Sequence, residues 1–224
     1  MACRIVVLLS GRGSNLDAIL QQVHQPTDVP ARVVGVISNR PAAAGLERAA
    51  AAGVPAECVD HRAHPDRPTF ERQLAATIDR LQPDLLVLAG FMRILTPTFV
   101  TRYSPALLNI HPSLLPDFRG LDTHARALAA GHAVHGTSVH VVVPELDAGP
   151  VIAQAQVPVL EEDDPERLAA RVQRAEHLLY PQVLRWYAAG RLQLRPDSVR
   201  LDGALLPPRG HRFRLSATET GLED

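Results

Sequence analysis

The sequence predicts an α/β protein: a doubly wound, mostly parallel sheet with flanking helices. Three observations carry that prediction. Near-continuous aliphatic runs, such as Arg4 to Leu9 and Asp84 to Ala89, read as strands buried on both faces. Helical patterns separate these runs through the first hundred residues. Glycine-containing turns, with Ser10-Gly11-Arg12-Gly13-Ser14-Asn15 the first, stand where strands end and helices begin.

The elements follow in order. Arg4 to Leu9 is the first strand, and its turn opens a helix patterned on Leu16, Ile19, Leu20 and Val23. Arg32 to Ile37 is the second strand, ending at Ser38-Asn39-Arg40 and feeding an alanine-rich helix over about 42–52 that Gly53 closes. Ala56 to Val59 is a short third strand, Thr69 to Leu81 a helix, and Asp84 to Ala89 a fourth strand ending at Gly90-Phe91-Met92-Arg93. A short helix after Pro97 precedes a strand over Leu107 to Ile110, and a proline- and glycine-rich loop from His111 to Asp122 leads to a helix over Thr123 to Ala130. The alternation then changes character: 135–143 and 151–157 read as two strands joined by a loop over Glu145 to Pro150. Glu161-Glu162-Asp163-Asp164 with Pro165 starts a long helix to about Ala189, ended by Gly190. Asp202-Gly203, between Ser198–Leu201 and Ala204–Leu206, is a residue pair that tight hairpin turns prefer. The expected organisation is one domain over 1–208, with halves at 1–105 and 106–208, and a mobile polar tail over 209–224.

Bulk properties exclude several classes. With 46% hydrophobic and 21% charged residues in 224, and a formal net charge of −1, the chain has the balance of a globular protein and no general attraction to nucleic acid or anionic lipid. No apolar run reaches membrane-spanning length, so neither nucleic acid nor membrane is an expected partner. Cys3 and Cys58 are too few and too far apart for a disulfide framework; both read as core residues, and a cytoplasmic location is expected. The absence of any lysine rules out a Walker-type phosphate loop, a pyridoxal Schiff base and a lysine nucleophile.

The motifs point to acyl-type chemistry on a phosphorylated substrate. Gly13 lets backbone approach a ligand, and Ser14 and Asn15 offer free amides at a helix start, which suits a phosphate monoester. A nicotinamide dinucleotide is disfavoured, because the fingerprint's last glycine is missing and Asn39 stands where a ribose-binding acid is expected; a plain glycine turn is the alternative. Asn109 and His111 lie two apart on a strand end and so share a face, with Ile110 turned to the core. A carboxamide and an imidazolium can donate to one developing oxyanion, and a carboxylate such as Asp147 can hold the imidazole charged or pass a proton. A metal site is disfavoured, since the pairs His61 with His64 and His132 with His135 lack further ligands at recognised spacing. Phe91-Met92-Arg93-Ile94-Leu95 exposes apolar groups at a strand's carboxyl end, which suits a flat heteroaromatic ligand, although on the residues alone Met92 and Ile94 serve as well to cap the core. Gln173, Glu176 and His177 read on the residues alone as a solvated helix face.

Taken together, from about Arg4 to Pro208, these motifs resemble those of the formyltransferase superfamily and, within it, the phosphoribosylglycinamide formyltransferase family. The stretch from Asn109 to Pro116 marks the superfamily; Ala89 to Leu95, His135 to His140, Glu145 to Pro150 and Arg171 to Pro181 narrow it. The resemblance implies a formyltransferase fold with a Rossmann-like, phosphate-binding first half, and a catalytic and folate-binding second half. It implies formyl transfer from 10-formyltetrahydrofolate, as cosubstrate, to the amine of glycinamide ribonucleotide, with no metal and no NAD. By motif match, Asn109 and His111 would stabilise the oxyanion and Asp147 would keep His111 protonated. Gly13, Ser14 and Asn15 would hold the phosphate, and Glu176, with Gln173 and Arg67, the rest of that substrate. Met92, Arg93, Ile94, Leu95 and Val142 would border the pterin. Asp122 departs from a histidine often found there in the family, which bears on a loop-level pH response and not on catalysis. The nearest rival is a formyltetrahydrofolate hydrolase, which usually carries an additional amino-terminal regulatory domain; a methionyl-tRNA formyltransferase would need a carboxyl-terminal domain larger than the residues after Pro208 supply. A noncatalytic nucleotide-binding module is the rival from another class. A monomer and a homodimer stay open.

Overall fold

Ile5, Val6, Val7 and Leu8 have no exposed surface, which makes β1 (Cys3–Leu9) a central strand. It pairs in parallel with β2 (Ala31–Ser38) on one side and with β4 (Leu85–Leu88) on the other. Outside these, β3 (Ala56–Cys58) adds in parallel to β2, and β5 (Leu107–His111) to β4. The computed structural model describes residues 2–215 and 221–223. The chain divides into two units, Met1–Asn109 and Ile110–Asp224, and the division falls inside β5.

In the first unit the helices start where side chains satisfy free backbone amides. α3 (Arg67–Arg80) is capped by Asp66, whose carboxylate accepts from Thr69 N at 2.7 Å, and α4 (Pro97–Tyr103) by Thr96. The Asp66 cap explains why α3 begins two residues before the expected Thr69. α1 (Ser14–Ile19) continues into one π-helical turn over Leu20–His24 that periodicity did not indicate, and α2 (Ala44–Ala51) follows β2.

In the second unit β6 (Val134–Val141) and β7 (Val151–Pro158) pair antiparallel, with the register shifting between Val139 and His140. Both pack against α6 (Pro165–Ala188), and α5 (Thr123–Ala129) packs on α6 as well. A separate three-stranded sheet joins β8 (Leu192–Leu194), β9 (Val199–Leu201) and β10 (Ala204–Leu205). Its β9–β10 turn has Asp202 at φ 52 and Gly203 at φ 81, the doubly left-handed geometry that selects Asp-Gly. The strands of the larger sheet run β11-β7-β6-β5-β4-β1-β2-β3, mostly parallel, with helices flanking, as expected.

The strand at its edge corrects the reading of residues beyond Pro208. β11 (His211–Arg214) pairs in parallel with β7, and Phe213 and Leu215 are buried. The mobile polar tail is therefore not what 211–215 form; the period-two alternation of Phe213 and Leu215 was masked by the arginines between and before them. Residues 216–220 and 224 of that expected tail lie outside the described residues. Both cysteines are corrected too: Cys58 is exposed on edge strand β3 and Cys3 is half-buried. The strand β8 was also missed, being only three residues long. No helix among the described residues is long and apolar enough to cross a membrane.

Candidate active site

β5 ends in the donor pair: Asn109 is half-buried and His111 is 5% exposed. The His111 ring is engaged at both nitrogens. Its Nε2 lies 3.0 Å from the Phe118 carbonyl oxygen, which can only accept, so Nε2 carries a proton. Its Nδ1 lies 3.4 Å from Asp147 Oδ2. Asp147 sits at φ 48 in the turn before β7, and its side chain is 8% exposed. The same Oδ2 accepts from Gly120 N at 3.0 Å, while Oδ1 lies 3.8 Å from His140 Nε2. His140 donates from Nδ1 to the Val141 carbonyl oxygen at 3.0 Å, and burial pushes its pKa down to about 4. It therefore meets Asp147 as a neutral ring at pH 7. With the Nε2 proton held by backbone, a further proton can lie on Nδ1 or on the carboxylate, and that exchange makes the buried imidazole and carboxylate an acid–base pair.

Buried polar side chains hold the segment that follows β5. Thr137 Oγ1 donates to the His111 carbonyl oxygen at 2.9 Å, and Ser138 Oγ donates to the Ser113 carbonyl oxygen at 2.6 Å while accepting from Leu115 N at 3.0 Å. Gln154 Nε2 donates to the Leu115 carbonyl oxygen at 2.8 Å and to Ser138 Oγ at 2.9 Å. Thr123 Oγ1 donates to the Pro112 carbonyl oxygen, and Ser113 Oγ to that of Asp117. Five carbonyls of this irregular backbone, those of His111, Pro112, Ser113, Leu115 and Asp117, are thus met by buried or half-buried side chains, which holds the segment beside the imidazole. An open cavity of about 380 Å³ adjoins Asp147, lined among others by Leu115, Arg119, Val143 and Pro208.

In the first unit, Gly13 is required on two counts. It sits at φ 80, and a Cβ there would lie 2.8 Å from Gly45 Cα. That close approach seats the turn against α2, and Ser14 and Asn15 follow as the first residues of α1. The segment after β4 leaves regular structure at Ala89 and turns at Gly90, whose φ is +75. Phe91 and Leu95 are buried, but Met92 is 63% and Ile94 59% exposed. Met92 and Ile94 therefore do not cap the core; the two residues that flank them do.

Residues 3–184 match the Formyl transferase family. The phosphoribosylglycinamide formyltransferase of Escherichia coli is 50% identical over 207 residues, which cover 92% of this chain and 97% of that one. That of Haemophilus influenzae is 42% identical over 208 residues, covering 93% and 98%. The chain belongs to the phosphoribosylglycinamide formyltransferase family. A solved structure of such an enzyme from Coxiella burnetii, in complex with CHES, superposes with a TM-score of 0.90 at 48% identity, covering 95% of this chain and 99% of that one.

The fold expected of a formyltransferase is the one observed. Among the residues singled out from sequence, His111 and Asp147 are in contact, and Met92 to Leu95 form one continuous segment with alternate exposure. Gln173 is exposed and Glu176 half-buried one turn on along α6; Arg67 is exposed in the first turn of α3; Arg93 and Val142 are half-buried. Sequence reasoning missed Thr137, Ser138, His140 and Gln154 in this formyltransferase. Their signal was present: each is a polar residue within an otherwise aliphatic strand, where burial demands a partner.

Proposed function

We propose that this chain transfers a formyl group directly from 10-formyltetrahydrofolate to the amine of N1-(5-phospho-D-ribosyl)glycinamide, the step its relatives are named for, in de novo purine biosynthesis. The observation that carries the proposal is the buried His111–Asp147 contact at the end of β5. In the first step the amine attacks the formyl carbon, and the carbonyl oxygen becomes an oxyanion that accepts hydrogen bonds from the Asn109 amide and from His111. The His111 Nε2 proton, donated to the Phe118 carbonyl oxygen in this conformation, is the one available to that oxygen. In the second step the carbon–N10 bond breaks; the attacking nitrogen loses a proton and N10 gains one, with Asp147 as the carrier, assisted by water. No covalent enzyme intermediate, metal or nicotinamide enters this scheme.

Gly13, Ser14 and Asn15 bind the substrate phosphate in this reading, and Arg67, Gln173 and Glu176 contact its remaining polar groups. Met92, Arg93, Ile94, Leu95 and Val142 border the pterin, for which the exposed Met92 and Ile94 supply apolar surface. Residues 1–208 act as one functional domain on small-molecule substrates, in the cytoplasm. The test is the absorbance change of the folate on transfer. Turnover that requires both substrates supports the proposal; formate release without the amine identifies a hydrolase, and phosphate-ligand binding without turnover a noncatalytic module.

A further inference from the structure

The scheme above leaves unused a chain of buried hydrogen bonds within the first unit. Met92 N donates to Ser10 Oγ at 2.7 Å, and Ser10 Oγ donates to Asn39 Oδ1 at 2.5 Å. With Oδ1 engaged, the Asn39 amide nitrogen faces His61 Nδ1 at 3.2 Å, and the same His61 nitrogen lies 2.8 Å from the Asn39 carbonyl oxygen. Ser10 N donates in addition to the Gly90 carbonyl oxygen at 3.0 Å. Ser10 is 3% and Asn39 0% exposed. Asn39 is the residue whose amide argued against a ribose-binding acid; here it has a different task.

The segment that Ser10 grips has no ladder of its own. Ala89 to Ile94 follows the last residue of β4 without regular structure, and Met92 and Ile94 project into solvent. Two of its backbone groups, the Gly90 carbonyl and the Met92 amide, are held by one residue, and that residue opens the glycine-containing turn before α1. The Ser10 hydroxyl has one proton and must choose its acceptor; Asn39 takes it, which leaves an oxygen lone pair directed at Met92 N. We propose that Ser10, oriented by Asn39, is a positioning residue that sets the main chain of the folate-binding wall from the base of the phosphate-binding turn. The proposal rests on the assignment of 92–95 to the folate and of 13–15 to the phosphate. Its consequence is preorganisation: without the hydroxyl the wall samples other backbone positions, and folate binding must first select the competent one.

The test compares Ser10→Ala, Ser10→Thr and Asn39→Ala in steady-state kinetics, with thermal unfolding as the check on folding. Ser10→Ala raises the KM for 10-formyltetrahydrofolate about three- to tenfold, the worth of one buried hydrogen bond, while the KM for the phosphorylated amine and kcat change less than about twofold. Ser10→Thr, which keeps the hydroxyl, restores the folate KM, and Asn39→Ala reproduces the Ser10→Ala pattern by releasing the hydroxyl rotor. An unchanged folate KM in Ser10→Ala, or an equal rise in both KM values, overturns the positioning role. Met92→Ala and Ile94→Ala separate the two layers of the argument. If they leave the folate KM unchanged, the wall assignment fails and the proposal falls with it; if they raise it while Ser10→Ala does not, the positioning role alone is refuted.

Discussion

The central strands of the two units bury different chemistry. β1 and β4 bury carbon only: from Ile5 to Leu9 and from Leu85 to Leu88 every side chain is aliphatic and almost none is accessible. β6 from His135 and β7 as far as Ala155 are just as buried, yet His135, Thr137, Ser138, His140 and Gln154 are among their buried residues. A buried polar group left unpaired costs about 1–3 kcal/mol, so five of them mark a region where something other than packing decides the residue. For three of them that something is the 111–123 segment, whose carbonyls at His111, Ser113 and Leu115 are met by Thr137, Ser138 and Gln154; His140 instead faces Asp147. The difference teaches that packing alone decides these residues of β1 and β4. β6 and β7 spend part of their interior on holding the backbone that follows His111.

Glycine substitutions give the largest way to break this comparison. A Cβ on Gly136 would lie 2.0 Å from the Ala155 carbonyl oxygen of the neighbouring strand, which cannot move without opening the β6–β7 ladder. A Cβ on Gly35 would meet only Leu81 Cδ1 at 2.5 Å, the end of a side chain that can rotate. Gly136→Ala is expected to lose about 3 kcal/mol or more and Gly35→Ala about 1 kcal/mol, measured as denaturant midpoints with unchanged slope. Equal losses would mean that the second unit is no more tightly specified than the first.

A smaller effect comes from acid. Burial lowers the pKa of both His135 and His140 to about 4, from an unfolded value near 6.5. Below 6.5 the unfolded chain binds protons that the folded chain refuses, so stability present above pH 6.5 falls as pH drops toward 4. The expected loss is of order 1–3 kcal/mol over that window, read from urea titrations at successive pH values, and His135→Gln should flatten part of it. A pH-independent stability between 6.5 and 4 would show that these rings are not held neutral by burial.

How much could be read beforehand follows the same division. The parallel strands announced themselves as aliphatic runs, and the turn at Gly13, the His111–Asp147 partnership and the Asp202-Gly203 hairpin turn were legible because glycine, proline and charge punctuate sequence strongly. The partners of buried polar atoms were not legible, since Ser138 and Gln154 are 16 positions apart and Ser10 and Met92 are 82 apart. β11 was hidden for a related reason: its pairing with β7 is a long-range event, and arginines on its exposed face outweighed Phe213 and Leu215 in composition. The exposed apolar groups of the 91–95 segment were legible from its place after a buried strand, but whether Met92 and Ile94 or their neighbours cap the core was not, since Phe91, Met92, Ile94 and Leu95 read alike in composition.

The central claim is that the buried His111–Asp147 pair carries the proton transfer of the proposed reaction. Steady-state kinetics of Asp147→Asn tests it most directly, because the amide keeps the side chain's size and can still face His111 while removing its charge. The account predicts a fall in kcat of about 10²- to 10⁴-fold with both KM values within about threefold and the unfolding temperature little changed. Formyl transfer at close to the wild-type kcat, with the loss appearing in KM alone, would contradict it.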